Sequence, residues 1–126
     1  MVGILLITHY QLGESFKACV EHIFGPNLER FATLAIGRDD VPEQKLQEAE
    51  QMLTLLNNGT GVIVFTDLFG ATPANIAAAL AKKSGVACLS GVNLPMLVRS
   101  VTYRHLPLAQ VVEKAVTGGK DGIIEM

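Results

Sequence analysis

The chain of 126 residues suits one domain with a radius of gyration of roughly 14 Å, and two domains would be cramped. Hydrophobic residues make up 49% even before 12 Gly are counted, while only 17% are charged against about 25% in ordinary domains, which excludes intrinsic disorder. A formal net charge of -2 gives no electrostatic footprint for nucleic acid, and no apolar run approaches the ~20 residues of a membrane span.

The elements alternate along the chain. Val2–Thr8 is a continuous apolar run without a basic leader or a cleavage site, so it reads as a strand and not a signal peptide; a cytoplasmic location is expected. Gly13–Phe24 follows as a helix, with Phe16, Val20 and Phe24 at i, i+4, i+8, and Gly25-Pro26-Asn27 breaks it. Phe31–Ile36 is a second, weaker strand, and Gly37–Pro42 is a polar connection. In Glu43–Asn57 the residues Leu46, Ala49, Leu53 and Leu56 recur at helical spacing, and Asn58-Gly59 ends that helix.

Gly61–Thr66 is dense in β-branched and aromatic side chains and reads as the central strand. A helix is expected over Pro73–Lys83, with Thr72 as N-cap and Pro73 at its first position. Val86–Leu89 is a fourth strand. A helix from Asn93 or Leu94 to about Tyr103 and another over Pro107–Thr117, closed by Gly118, complete the helical set. The tail Asp121–Met126, with Ile123 and Ile124, reads as a short edge strand. Strands separated by helices imply right-handed parallel crossovers, hence an α/β fold with a doubly wound, mainly parallel sheet flanked by helices, whose order is taken to be 2-1-3-4. Residues 1–126 are expected to be one domain, with Cys19 and Cys88 as reduced core thiols.

In an open parallel sheet, ligands bind beyond the carboxyl ends of the strands where strand order reverses. With order 2-1-3-4, His9 after the first strand and Asp67 after the third face each other across one crevice. A carboxylate that accepts the Nδ1–H of an imidazole leaves Nε2 with its lone pair outward and stabilises positive charge gained by the ring. The backbone N–H groups of Gly70 and Ala71 and the hydroxyl of Thr72, at the start of a helix, suit a tetrahedral anion. Taken singly, each has a duller reading: His9 as a strand-end polar residue, Asp67 as a turn residue, Thr72 as a cap. Their coincidence at adjacent strand ends favours a nucleophilic histidine that carries a phosphoryl group. There is no dinucleotide fingerprint, Walker loop or nucleophile elbow. His9, His22 and His105 lack metal-ligand spacing, so neither a metal nor another cofactor is expected.

Three stretches together resemble a known family, the mannose-family IIA component of the bacterial phosphoenolpyruvate-dependent sugar phosphotransferase system. They are Gly3-Ile-Leu-Leu-Ile-Thr-His9, Thr66-Asp67-Leu-Phe-Gly-Ala-Thr-Pro73 with Asn75, and Gly91-Val-Asn-Leu-Pro-Met-Leu97. The resemblance implies a phosphotransferase component in which His9 takes a phosphoryl group on Nε2 from the small carrier protein HPr and passes it to a IIB component. It implies that Asp67 orients His9, that Thr72 contacts the phosphate, and that the protein is a homodimer in which the C-terminal strand is exchanged. Contact with a membrane transporter would come only through partners. Tyr10 stands where the family commonly has Gly, and Ala71 where a second Gly usually precedes the hydroxyl residue and where Ala disfavours positive φ. A fused IIB domain is not expected in this chain. Two other readings stay open: a regulatory module whose phosphorylation at His9 controls a partner, and the phosphotransfer subunit of a dihydroxyacetone kinase. The apolar excess suggests further hidden surface, and the tail Gly122–Ile124 with Val111, Val112, Ala115 and Val116 is expected in the homodimer interface.

Overall fold

Four apolar runs of five to seven residues, too short for stable helices, pair side by side into a parallel sheet. The computed structural model describes residues 1–126. Its elements are β1 (Gly3–His9), α1 (Leu12–Phe24), β2 (Phe31–Ile36), α2 (Pro42–Leu56), β3 (Val62–Thr66), α3 (Thr72–Leu80), β4 (Val86–Ser90), α4 (Leu94–Tyr103) and α5 (Leu108–Asp121). The order is β2-β1-β3-β4, the expected one. The register aligns the carboxyl ends: His9 lies opposite Ile36, Ile7 opposite Thr66, and Thr66 opposite Ser90.

Successive side chains of a strand point to opposite faces, and the two faces of this sheet are both buried. Ile4, Leu6, Ile63 and Phe65 pack with Val20 of α1, Met96 and Leu97 of α4, and Val111 and Ala115 of α5. Leu5, Ile7, Val62 and Val64 pack with Ala49, Leu53 and Leu56 of α2 and Ile76, Ala77 and Leu80 of α3. Each fully buried Val, Leu or Ile contributes about 1.5–3 kcal/mol. The low charge of the chain follows from this arrangement, because the two central strands expose no face to water.

Several expectations need correction. Gly118 does not close the last helix; α5 runs on to Asp121, and Gly122 caps it. The reason is packing: a Cβ on Gly118 would lie 2.7 Å from Cβ of Arg99 on α4, so the glycine lets two helix backbones approach. Within the single chain the residues beyond Gly122 pair with none of its strands, and Ile123 and Ile124 are exposed. Val111 and Ala115 are wholly buried against their own sheet and are not available to a partner surface. Cys19 is exposed and Cys88 half-buried, so neither is a fully buried core thiol; burial pushes the Cys88 thiol up to about 11. Phe24, the last member of the apolar stripe of α1, is 41% exposed and so does not join the core as its spacing suggested. No helix is long and apolar enough to cross a membrane.

Candidate active site

β1 and β3 are hydrogen-bonded neighbours, and the residues that follow their last paired positions meet in the crevice beyond the sheet. Asp67 Oδ2 accepts the main-chain N–H of His9 at 3.0 Å and lies 2.8 Å from its Nδ1. Oδ1 accepts the N–H of Leu68 at 3.0 Å. Burial alone would raise the Asp67 carboxyl, but the backbone N–H, the ring and the charge of His9, with Asp67's own N–H, together hold it below the usual carboxylate value. An ionised Asp67 can only accept, so Nδ1 carries the ring proton and Nε2 keeps its lone pair. The His9 side chain is 43% exposed against 12% for Asp67, so the carboxylate is a sheltered support and the ring faces the solvent side.

Local chain geometry aims the ring. Immediately after β1 the chain turns through Tyr10 at φ 47°, where its N–H donates to the carbonyl of Ile36 at 3.0 Å. That left-handed conformation costs a non-glycine residue about 1–2 kcal/mol. The buried hydroxyl of Thr8 accepts the N–H of Gly13 at 2.7 Å and satisfies one of the free donors of α1, which has no side-chain N-cap of its own.

After β3 the loop reaches α3 through Gly70 at φ 86°. Ala71 is extended, at φ -101° and ψ 175°, so the backbone here needs no glycine. Ala71 is also the N-cap; Thr72 is the first helical residue of α3 rather than its cap, and Pro73 the second. The shift by one residue leaves the Thr72 hydroxyl free for another partner, and the leading N–H groups of α3 lack intrahelical acceptors, as at any helix start.

His9 and Thr72 line one cavity of about 380 Å³. Gly70 and Ala71 lie in the loop that feeds α3 and do not line it. The opposite wall comes largely from a segment that reads in the sequence only as a connection, Gly37, Arg38, Asp40 and Pro42, joined by Ile36 at the end of β2 and by Tyr10. The strand order contained the signal, since it puts the end of β2 beside the end of β1. His22 and His105 are exposed and do not line this cavity. No three His, Cys, Asp or Glu side chains are gathered so as to hold a metal ion.

A family model described as the PTS system fructose IIA component, EIIA-man, matches residues 3–116. The chain belongs to this family. It is 30% identical over 116 residues to the sorbose-specific EIIA component of the phosphotransferase system of Lacticaseibacillus casei, a match that covers 86% of this chain and 79% of that protein. The fold of this IIA component is that of the EIIA of Streptococcus agalactiae, with TM-score 0.89, 24% identity and coverage of 99% and 97% of the two chains. It is also that of the mannose/sorbose-specific IIA subunit of Enterococcus faecalis, with TM-score 0.87, 20% identity and coverage of 99% and 94%. Membership in the IIA family assigns the chain in general terms to phosphotransfer in sugar uptake.

Proposed function

We propose that this IIA component is a phosphocarrier: His9 accepts a phosphoryl group from phosphorylated HPr and hands it to a IIB component. One observation carries the reading, the 2.8 Å approach of Asp67 Oδ2 to His9 Nδ1, which leaves Nε2 as the nucleophile beside a cavity that Thr72 also lines. In the step, the Nε2 lone pair forms a P–N bond as the P–N bond of the donor phosphohistidine breaks, and that electron pair remains with the donor nitrogen. The proton on Nδ1 stays between ring and carboxylate, so the positive charge of the phosphorylated ring faces Asp67. The reverse displacement, by a cysteine or histidine of the acceptor, regenerates neutral His9. Thr72 donates to a phosphoryl oxygen, and the N–H groups and dipole at the start of α3, with Gly70 and Ala71 leading into it, supply further positive potential.

Incubation with phosphoenolpyruvate, enzyme I and HPr should add one acid-labile, base-stable phosphoryl group that is absent in His9→Ala. No label, or label on another residue, overturns the proposal. A homodimer belongs to the same reading. Its support is the half-buried edge strand β4 together with the exposed tail residues Ile123 (80%) and Ile124 (74%). Sedimentation at micromolar concentration should give the mass of two chains; a stable monomer contradicts it.

A further inference from the structure

The phosphorylated cavity has a charge problem. The positive charge of the phosphorylated ring answers Asp67, but the phosphoryl group brings close to two further negative charges beside the Asp40 carboxylate, and the helix start and Thr72 offer only partial positive charge. Among the residues that line the cavity, Arg38 is the one permanent cation. It is exposed and makes no ion pair within the chain. Asp40, whose Oδ2 accepts the N–H of Gly37 and lies 3.9 Å from Lys45 Nζ, lines the same cavity and forms no ion pair with Arg38. Arg38 is placed by β2, whose last residue, Ile36, pairs with His9 and accepts the N–H of Tyr10. The backbone of Arg38 is therefore two residues from a fixed point beside the reacting ring, on the cavity wall contributed by the β2–α2 connection.

From this we infer that Arg38 is a phosphoryl-contacting residue of the site, donating to the oxygens of the group on His9 Nε2 from the β2 side while Thr72 donates from the α3 side. The inference rests on the phosphocarrier reading and adds to it a residue from a third strand end. A planar guanidinium can donate two parallel N–H bonds to a phosphoryl group, which a lysine cannot reproduce. Because the contact exists only when the group is present, Arg38 raises the share of phosphate that resides on this chain at equilibrium with HPr.

The test is the equilibrium constant of phosphoryl exchange between HPr and this chain, read from the two phosphorylated populations after long incubation with catalytic enzyme I. Arg38→Ala should shift the equilibrium toward phosphorylated HPr by about tenfold, the size expected of one solvent-accessible charge-assisted contact, and Arg38→Lys should recover part of the loss. The side chain makes no hydrogen bond or ion pair in the chain, so the thermal midpoint of both variants should match the wild type. A slower approach to an unchanged equilibrium would assign Arg38 to docking of the donor protein and overturn the inference. If the wild-type chain takes no label on His9, the phosphocarrier reading fails and this one with it; normal labelling with an equilibrium indifferent to Arg38→Ala sinks this inference alone.

Discussion

The two ends of the sheet each hold an ionisable side chain that bridges neighbouring strands, and they spend it differently. At the amino ends, Arg104 is 4% exposed and donates from Nε and Nη2 to the carbonyl of Val2, at 3.0 and 2.9 Å, and from Nη2 to that of Arg30 at 2.8 Å. Burial, then the charge of Arg30, push its pKa down to about 10 against a smaller opposing effect of Glu29, so it stays protonated at neutral pH. Three of its donor contacts end on the main chain, which makes Arg104 a clasp between β1, β2 and the end of α4. At the carboxyl ends, Asp67 takes one nitrogen of His9 and leaves the other free beside a cavity. An ionisable group buried with its hydrogen bonds on main-chain carbonyls is structural, and one held by a single ring nitrogen at an open crevice is available for chemistry.

The sharpest way to break this contrast is Asp67→Asn. An amide can donate to Nδ1 and favour the wrong tautomer, so phosphoryl acceptance should fall about a thousandfold, equivalent to about 4 kcal/mol in the barrier. The same variant sharpens the pH behaviour. Since the folded pKa of Asp67 lies below its ordinary value of 3.8, the unfolded chain binds this proton first as pH falls. Its contribution to stability is full above that ordinary value and disappears as pH drops through the depressed one. Urea midpoints measured between pH 5 and 2 should fall more steeply for the wild type than for Asp67→Asn.

At the other end, Arg104→Met should lower unfolding free energy by about 3 kcal/mol, because it removes three charge-assisted hydrogen bonds to buried carbonyls. Its rate of phosphoryl acceptance per folded molecule should stay within twofold of wild type, and a larger loss would mean that the two ends are coupled. Gly118→Ala should cost about 1–2 kcal/mol in denaturant unfolding, since overpacking against Arg99 exceeds the helix-propensity gain of alanine. The smallest effect is expected from Tyr10→Gly: relief of the left-handed strain, offset by unfolded-state entropy, should raise stability by no more than about 1 kcal/mol.

Local pattern made the strands, most helices and the pairing of His9 with Asp67 legible. A run such as Val62–Phe65 can be stable only inside a sheet covered on both faces, and alternation with helices leaves few sheet orders. The rule that ligands gather at the carboxyl ends of such strands then singles out His9, Asp67 and Thr72. The errors lie where distance in sequence is largest or a glycine has two uses. Gly118 looks like a helix end because glycine usually is one, and only the approach of α4 shows that it is a contact. Arg104 sits among ordinary helix-end residues, 102 positions from the Val2 carbonyl that it clasps. Arg38 passes for one charge in a polar loop until the register of Ile36 against His9 brings that loop to the cavity wall.

What the sequence determined by itself was the periodicity, hence the elements, the parallel sheet class and the strand ends at which a polar residue would matter. What only the tertiary structure decided was which polar groups are consumed by the fold and which are left free. Periodicity is a property of near neighbours in the chain, whereas the satisfaction of a donor or carboxylate depends on whichever distant backbone the packing brings within 3 Å.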